Sequence, residues 1–353
     1  MKSPFISWCT AQGIITPLKL CGESSPYRYM EFDAPDFSIT SSPTITDNIL
    51  QVPLNACIIA ETPEKLSQKL ANERDLGEDS FYAPYINVLP SLKMLDDDDD
   101  GPLTSMPRFW SRERIDLVSN ADGGQIERKL KEDERKDLDP WAYACVTSRA
   151  NYVQGHGFAM TPILDMINHD ASVSTSAKIV KGDDGSNSQI DDVLHLSIQS
   201  KFSIGDEVFI SYGDLTNLET LCNYGFVSNT NTCNKESIDV LMMRKAPVKV
   251  TISDSDGSID IGSLATLRSY LATPSEIENA NNAYFTSPIS DSNEEEVYSL
   301  IASFIDESIA DAIEGVENVK GKDDLVERYL QKRAETLKRG LENVKKKFPF
   351  LEY

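Results

Sequence analysis

A change in apolar period partway along the chain limits its fold more than any other feature. Within residues 141–245, two segments carry apolar residues at every second position. Leu194, Leu196 and Ile198 alternate with His195, Ser197 and Gln199. After a Gly205-Asp206 turn, Val208–Tyr212 alternates again and stops at Gly213. A period of two puts one set of side chains on one face of a strand. From about residue 255 the period becomes 3.6: Val297, Ile301, Phe304, Ile305 and Ile309 share a helix face, as do Val326, Leu330, Leu337, Leu341 and Val344. Strand text and helix text kept in separate blocks is the pattern of an α+β protein.

The remaining stretches complete a four-part division: 1–60, 61–140, 141–245 and 246–353. Residues 1–60 are short apolar runs such as Leu50–Val52 and Ala56–Ala60, bounded by Pro/Ser clusters. Residues 61–140 are richer in charge and helix formers. Thr62-Pro63-Glu64, and Ser111 ahead of Arg112-Glu113-Arg114, read as helix starts, with a capping hydroxyl before the first turn. Asp96–Asp100 reads as a solvated loop or as a docking point for a basic partner, and Lys181–Asp192 as a polar loop.

Charge and composition exclude several function classes. The 353 residues carry 34 Lys plus Arg against 57 Asp plus Glu, a net charge of −23. Such a field repels phosphates, so nucleic acid and anionic membrane are not expected partners, whereas a protein with a basic surface is attracted. Residues 322–347 oppose the rest, with nine basic and five acidic side chains. No apolar run approaches the ~18 residues of a membrane span, and Met1–Cys9 lacks the apolar core of a secretory signal. Six scattered cysteines without a C-x-x-C pair, and only three histidines, read as reduced thiols in an intracellular protein with no metal site. The expected compartment is the cytoplasm or nucleus, or the plastid if a transit peptide has been removed. The oligomeric state is not legible.

Nucleotide-binding loops, the serine-hydrolase elbow, H-E-x-x-H and G-x-G-x-x-G are all absent from the sequence. What stands out is Asp165-Met-Ile-Asn-His169 together with Gly205-Asp-Glu-Val-Phe-Ile-Ser-Tyr-Gly213 and Asn223-Tyr-Gly-Phe-Val227. Taken singly, Asn168-His169 could satisfy nearby backbone groups at a turn, and Tyr212 and Tyr224 could be core tyrosines.

Together these segments resemble the C-terminal half of a SET domain, and more narrowly the Rubisco large-subunit methyltransferase-like branch. Further matches are Phe5-Ile-Ser-Trp8, Asn48-Ile-Leu-Gln-Val-Pro53, Ala83–Pro90, Pro107-Arg-Phe-Trp-Ser111 and Val146-Thr-Ser-Arg-Ala150. The resemblance implies a mostly-β SET core with knot-like threading, split as 1–60 and 141–245 around a helical insert at 61–140. An all-helical substrate-binding domain would follow at 246–353. It implies S-adenosylmethionine as cofactor, held by Asn168, His169 and Arg149. Tyr212 and Tyr224 become the active-site tyrosines, and Asp165 and Asn151 face the substrate.

The implied reaction moves a methyl group from a sulfonium to a nitrogen in line, so alignment supplies much of the effect. A tyrosine near pKa 10 is a poor base at neutral pH, which makes Tyr212 a positioner. A lysine acceptor must first lose its proton, at a cost of about 4.6 kcal/mol at pH 7. A histidine acceptor needs no such step, and an asparagine at 151 can hydrogen-bond an imidazole. Two alternatives to a protein-lysine methyltransferase therefore stay open: a protein-histidine methyltransferase, and a catalytically silent SET-like binding module. The second is favoured by one departure. The glycine-rich turn of SET enzymes is replaced by Ser25-Pro-Tyr-Arg-Tyr-Met30, where close backbone approach to a ligand is sterically harder.

Overall fold

The computed structural model describes residues 3–22, 28–33, 46–92, 103–133, 137–181, 192–198, 202–279 and 285–348. The acidic run Asp96–Asp100 and most of the Lys181–Asp192 loop lie outside these residues, as do Ser25, Pro26 and Tyr27 of the expected glycine-turn position. The chain divides into two compact units, Met1–Met106 with Lys136–Gly213, and Pro107–Arg135 with Asp214–Tyr353.

The first unit is mixed helix and strand. Ile58–Ala60, Gly157–Met160 and Ala150–Val153 form an antiparallel sheet with Gly157–Met160 central. Gly157 is required there: its φ is +101°, and a Cβ would come within 2.5 Å of the Ala60 carbonyl oxygen. A second sheet places Val193–Ile198 between Thr46–Pro53 and Thr175–Val180. Its alternation of Leu194, Leu196 and Ile198 into the core follows the period read from the sequence. Leu18–Cys21 and Tyr29–Phe32 make a hairpin.

Helices of this unit start where local chemistry dictates. The Thr62 hydroxyl accepts from the Lys65 N–H with Pro63 at the first helical position, and Asp139 caps Pro140–Arg149 by accepting from Ala142. Arg74 grips Asp139 through two bonds of 3.0 Å while its guanidinium lies 4.9 Å from the Trp141 ring centre. These contacts join the helices Pro63–Asp75 and Pro140–Arg149, which between them bury Leu66, Leu70, Ala142 and Val146.

Val208–Tyr212, which alternates like a full strand, forms only a two-residue strand, Phe209–Ile210. The backbone groups on either side go to separate partners. The Val208 N–H donates to the Met30 carbonyl, the Ser211 N–H to Thr175 Oγ1 and the Tyr212 N–H to His169 Nδ1. Phe209–Ile210 itself pairs in parallel with Asn168–His169.

In the second unit a hairpin of Lys235–Val240 and Val248–Ser253 packs with helices Ile261–Leu271, Asp291–Val319 and Asp324–Lys347. Val250, Ile252, Val297, Ile301, Ile305 and Leu337 form the centre of its core. The strand at Val248–Ser253 corrects the expectation of an all-helical region from residue 246. Val248, Val250 and Ile252 bury one face at period two, and the partner strand satisfies the backbone. A second apolar cluster unites Trp110, Ile115, Val118 and Ile126 with Tyr329 and Leu330.

Arg333 lies beside that cluster, fully buried. It donates to Glu236 at 2.7 Å and to the Ala121 and Ser237 carbonyls at 3.2 Å. Burial pushes the Glu236 carboxyl up and raises Asp122 to about 6, the latter opposed by N–H donors from Gly124 and Ile126. Ser290 caps the helix Asp291–Val319, and Glu294 in its first turn is buried and paired with Arg268. No helix among the described residues is long and apolar enough to cross a membrane.

Candidate active site

Three segments of the first unit converge at Asn168-His169. Phe209 and Ile210 lie beside the two residues in register, and the Asp170 N–H closes the pair onto the Ile210 carbonyl at 3.0 Å. Strand Tyr29–Phe32 joins from the other side, through Val208 N–H to the Met30 carbonyl and Phe32 N–H to the Asp206 carbonyl. The Asn168 amide crosses this junction. Its Nδ2 donates to Glu207 Oε1 at 2.7 Å and to the Arg28 carbonyl at 3.4 Å. The Arg28 guanidinium in turn reaches the Val88 carbonyl.

His169 and Tyr212 form a second pair, their ring centres 4.9 Å apart and tilted by 30°. Because the Tyr212 N–H donates to His169 Nδ1 at 3.0 Å, Nδ1 is an acceptor and the imidazole proton belongs on Nε2. Burial lowers the His169 pKa and keeps the ring neutral at pH 7. The Tyr212 hydroxyl donates to the Ile167 carbonyl at 2.7 Å. With its proton committed to that carbonyl, the phenol oxygen presents lone pairs. Beyond Tyr212 the chain turns through Gly213, whose φ of +110° is closed to residues with a Cβ.

Beneath these residues lies a buried carboxyl. Asp165 is 7% exposed and accepts a 2.5 Å bond from the Tyr85 hydroxyl on Oδ2, while its Oδ1 has no partner among the described residues. Burial raises it to about 6 against the opposing pull of Arg149 and the Tyr85 bond. Tyr85 is stacked on Phe5 and Trp8, and its own ionisation is pushed well up by burial and the neighbouring carboxyl, so it stays a donor. Arg149 donates to the Asp165 backbone carbonyl at 2.6 Å. Ile163, just upstream and fully buried, has a φ of +72°, a strained conformation for a β-branched residue.

The structure thus brings Asn168, His169, Tyr212, Asp165 and Arg149 together. The carboxyl of Asp165, which the resemblance sets toward the substrate, accepts its bond from Tyr85. Asn151 lies on the edge strand Ala150–Val153, where its Nδ2 donates to the Arg149 carbonyl at 3.2 Å. Tyr224 belongs to the second unit, at the end of the helix Asn217–Tyr224, its hydroxyl raised by burial and by Glu219. Sequence reasoning did not single out Tyr85 or Glu207. Both sit in quoted blocks, yet nothing local distinguishes them, because their partners are 80 and 39 residues away.

No family model matches the chain. Protein SET DOMAIN GROUP 40 of Arabidopsis thaliana is 23% identical over 267 residues, 65% of this chain and 54% of that protein. The chain spans about half the length of this curated relative. Among solved structures, the SET domain of LSMT bound to lysine and AdoHcy aligns with a TM-score of 0.69 at 18% identity, covering 97% of this chain and 90% of that one. Rubisco LSMT bound to AdoMet aligns with a TM-score of 0.66 at 16% identity, over 97% and 91% of the two chains. A mixed helix-and-strand chain, aligned over nearly its whole length with these structures, has the SET-domain fold as it occurs in Rubisco LSMT.

Proposed function

We propose that the chain is an S-adenosylmethionine-dependent protein N-methyltransferase acting on lysine side chains. The arrangement of Tyr212, His169 and Asn168 around the 167–169 backbone carries the reading. Support comes from the neighbours of the same fold, described as bound to AdoMet, AdoHcy, lysine or methyllysine. The parallel pairing of Asn168–His169 with Phe209–Ile210 fits the knot-like threading that a SET core implies, and that threading belongs to the proposal.

The residues present fit the cofactor. A sulfonium is a cation, and a neutral imidazole tilted against a protonated phenol does not repel it. The Asn168 amide and nearby backbone groups suit the amino-acid end. When bound, the cofactor supplies an electrophilic methyl group on sulfur. Asn168 and His169 hold the donor. The Tyr212 oxygen, anchored on the Ile167 carbonyl, offers lone pairs to polarised C–H groups and fixes the approach of the acceptor nitrogen. Arg149 and Asp165 act as positioning residues that hold the backbone of residues 165–169. Tyr224 keeps the role implied by the resemblance, to be tested as Tyr224→Phe. The net charge of −23 favours a substrate with a basic surface.

Calorimetric titration with S-adenosylmethionine tests the cofactor site. Micromolar binding is expected, weakened about tenfold or more in Asn168→Ala by loss of a polar contact to a charged group. No binding at millimolar cofactor would overturn the enzyme reading and leave the silent binding module. Labelled-methyl transfer then tests chemistry: Tyr212→Phe should lower turnover by about a hundredfold while cofactor affinity stays within about threefold. Mass spectrometry of the labelled residue separates lysine from histidine. Histidine is the reading that Asn151 would serve, although its amide nitrogen is already given to Arg149.

A further inference from the structure

We propose that Glu207 is a positioning residue for the α-ammonium end of the cofactor, acting through Asn168 and through its own charge. The inference rests on the cofactor reading above. The Asn168 amide has two neighbours at its nitrogen, Glu207 Oε1 at 2.7 Å and the Arg28 carbonyl at 3.4 Å. Both are acceptors and neither can donate, so rotating the amide by half a turn would set its carbonyl oxygen against a carboxylate. The orientation is therefore fixed, and Oδ1 is the atom left to meet a ligand. It is an acceptor, held next to a negative charge.

That pairing selects for charge. An acceptor oxygen beside a carboxylate favours a cationic donor and disfavours an anion, and a charge-assisted bond there is roughly twice as strong as a neutral one. The methionine end of the cofactor carries one such donor, its α-ammonium, next to a carboxylate that this corner would repel. Glu207 thus dictates which way the amino-acid end lies.

Glu207 is itself well held. An antiparallel backbone bridge sets it opposite Glu31, through the Phe32 N–H to the Asp206 carbonyl and the Val208 N–H to the Met30 carbonyl. Glu31 is engaged separately by the Cys21 thiol at 3.5 Å. The arrangement also offers an answer to the missing glycine turn. The Arg28 carbonyl, within the Ser25–Met30 stretch of the sequence, is spent on Asn168, and a carboxylate supplies the attraction instead.

Calorimetry with S-adenosylmethionine and with its desamino analogue tests this on the intact chain. The wild-type protein should prefer the cofactor over the analogue by roughly 10- to 100-fold, the range for one charge-assisted contact. Glu207→Gln keeps an acceptor for Asn168 but removes the charge. It should lower the ratio by about threefold or more, the share owed to the Glu207 charge, while leaving affinity for the analogue unchanged within about threefold. A merely structural role would weaken both ligands alike. If the wild type binds both ligands equally, or Glu207→Gln keeps the wild-type ratio, this inference fails and the cofactor reading stands. If neither ligand binds the wild type at millimolar concentration, the cofactor reading fails and takes the inference with it.

Discussion

Replacing Tyr85 by phenylalanine isolates one hydroxyl at the base of the site. The ring keeps its stacking partners, since Phe5 and Trp8 lie 6.1 and 6.4 Å away and do not depend on the oxygen. What is lost is the 2.5 Å bond to Asp165 Oδ2, and Asp165 Oδ1 already has no partner among the described residues. Burial holds this carboxyl at about 6 against an ordinary 3.8. An acid whose pKa is higher in the folded than in the unfolded chain opposes folding as pH rises past both values. The penalty develops between about pH 4 and pH 6 and reaches about 3 kcal/mol above that.

The Tyr85 bond pulls the value down, so removing it pushes Asp165 further up and deepens the penalty where the carboxylate must ionise. At pH 8 the loss of a bond to a charged acceptor should cost about 1.5–3 kcal/mol, whereas at pH 5 the bond lost is neutral to neutral and costs about 1 kcal/mol. Urea unfolding at the two pH values, followed by tryptophan fluorescence, measures the difference. Equal losses at pH 5 and pH 8, or a loss under about 0.5 kcal/mol at pH 8, would refute the reasoning.

Two further substitutions probe the frame. Arg333→Met leaves the buried Glu236 carboxylate without its cation and should destabilise the chain by about 3–5 kcal/mol, while the double change with Glu236→Leu should recover at least half of that in denaturant melts. Gly157→Ala combines a φ of +101° with a Cβ 2.5 Å from a carbonyl oxygen, and should cost more than about 2 kcal/mol in the same assay.

What the sequence made legible is local. The Thr62 and Ser111 caps work through N–H groups three residues on, and the Val193–Ile198 strand follows from its own alternation, so a short window carries each signal. The Asn168, His169 and Tyr212 constellation became visible through spacing and resemblance. Hidden features depend on distant partners. Val208–Tyr212 looked like one strand because its side chains alternate, but its N–H groups are taken by Met30, Thr175 and His169. Arg333 read as one more cation of a basic tail, and only Glu236 and Ala121 show that it is buried. Val248–Ser253 carried a period of two, overshadowed by the helical text beyond it.

The Arg333 contacts have a consequence for the order in which the chain is made. The guanidinium that satisfies the Ala121 carbonyl lies 212 residues downstream of it. At ~5–20 residues per second a ribosome needs roughly 10–40 s to cover that distance. Through that time Trp110, Ile115 and Ile126 lack Tyr329 and Leu330, two members of their apolar cluster, although Leu221 and Val227 are made earlier. The cluster around Trp110 and Ile126 is therefore completed only once the helix Asp324–Lys347 has been made, so its burial is settled late in synthesis.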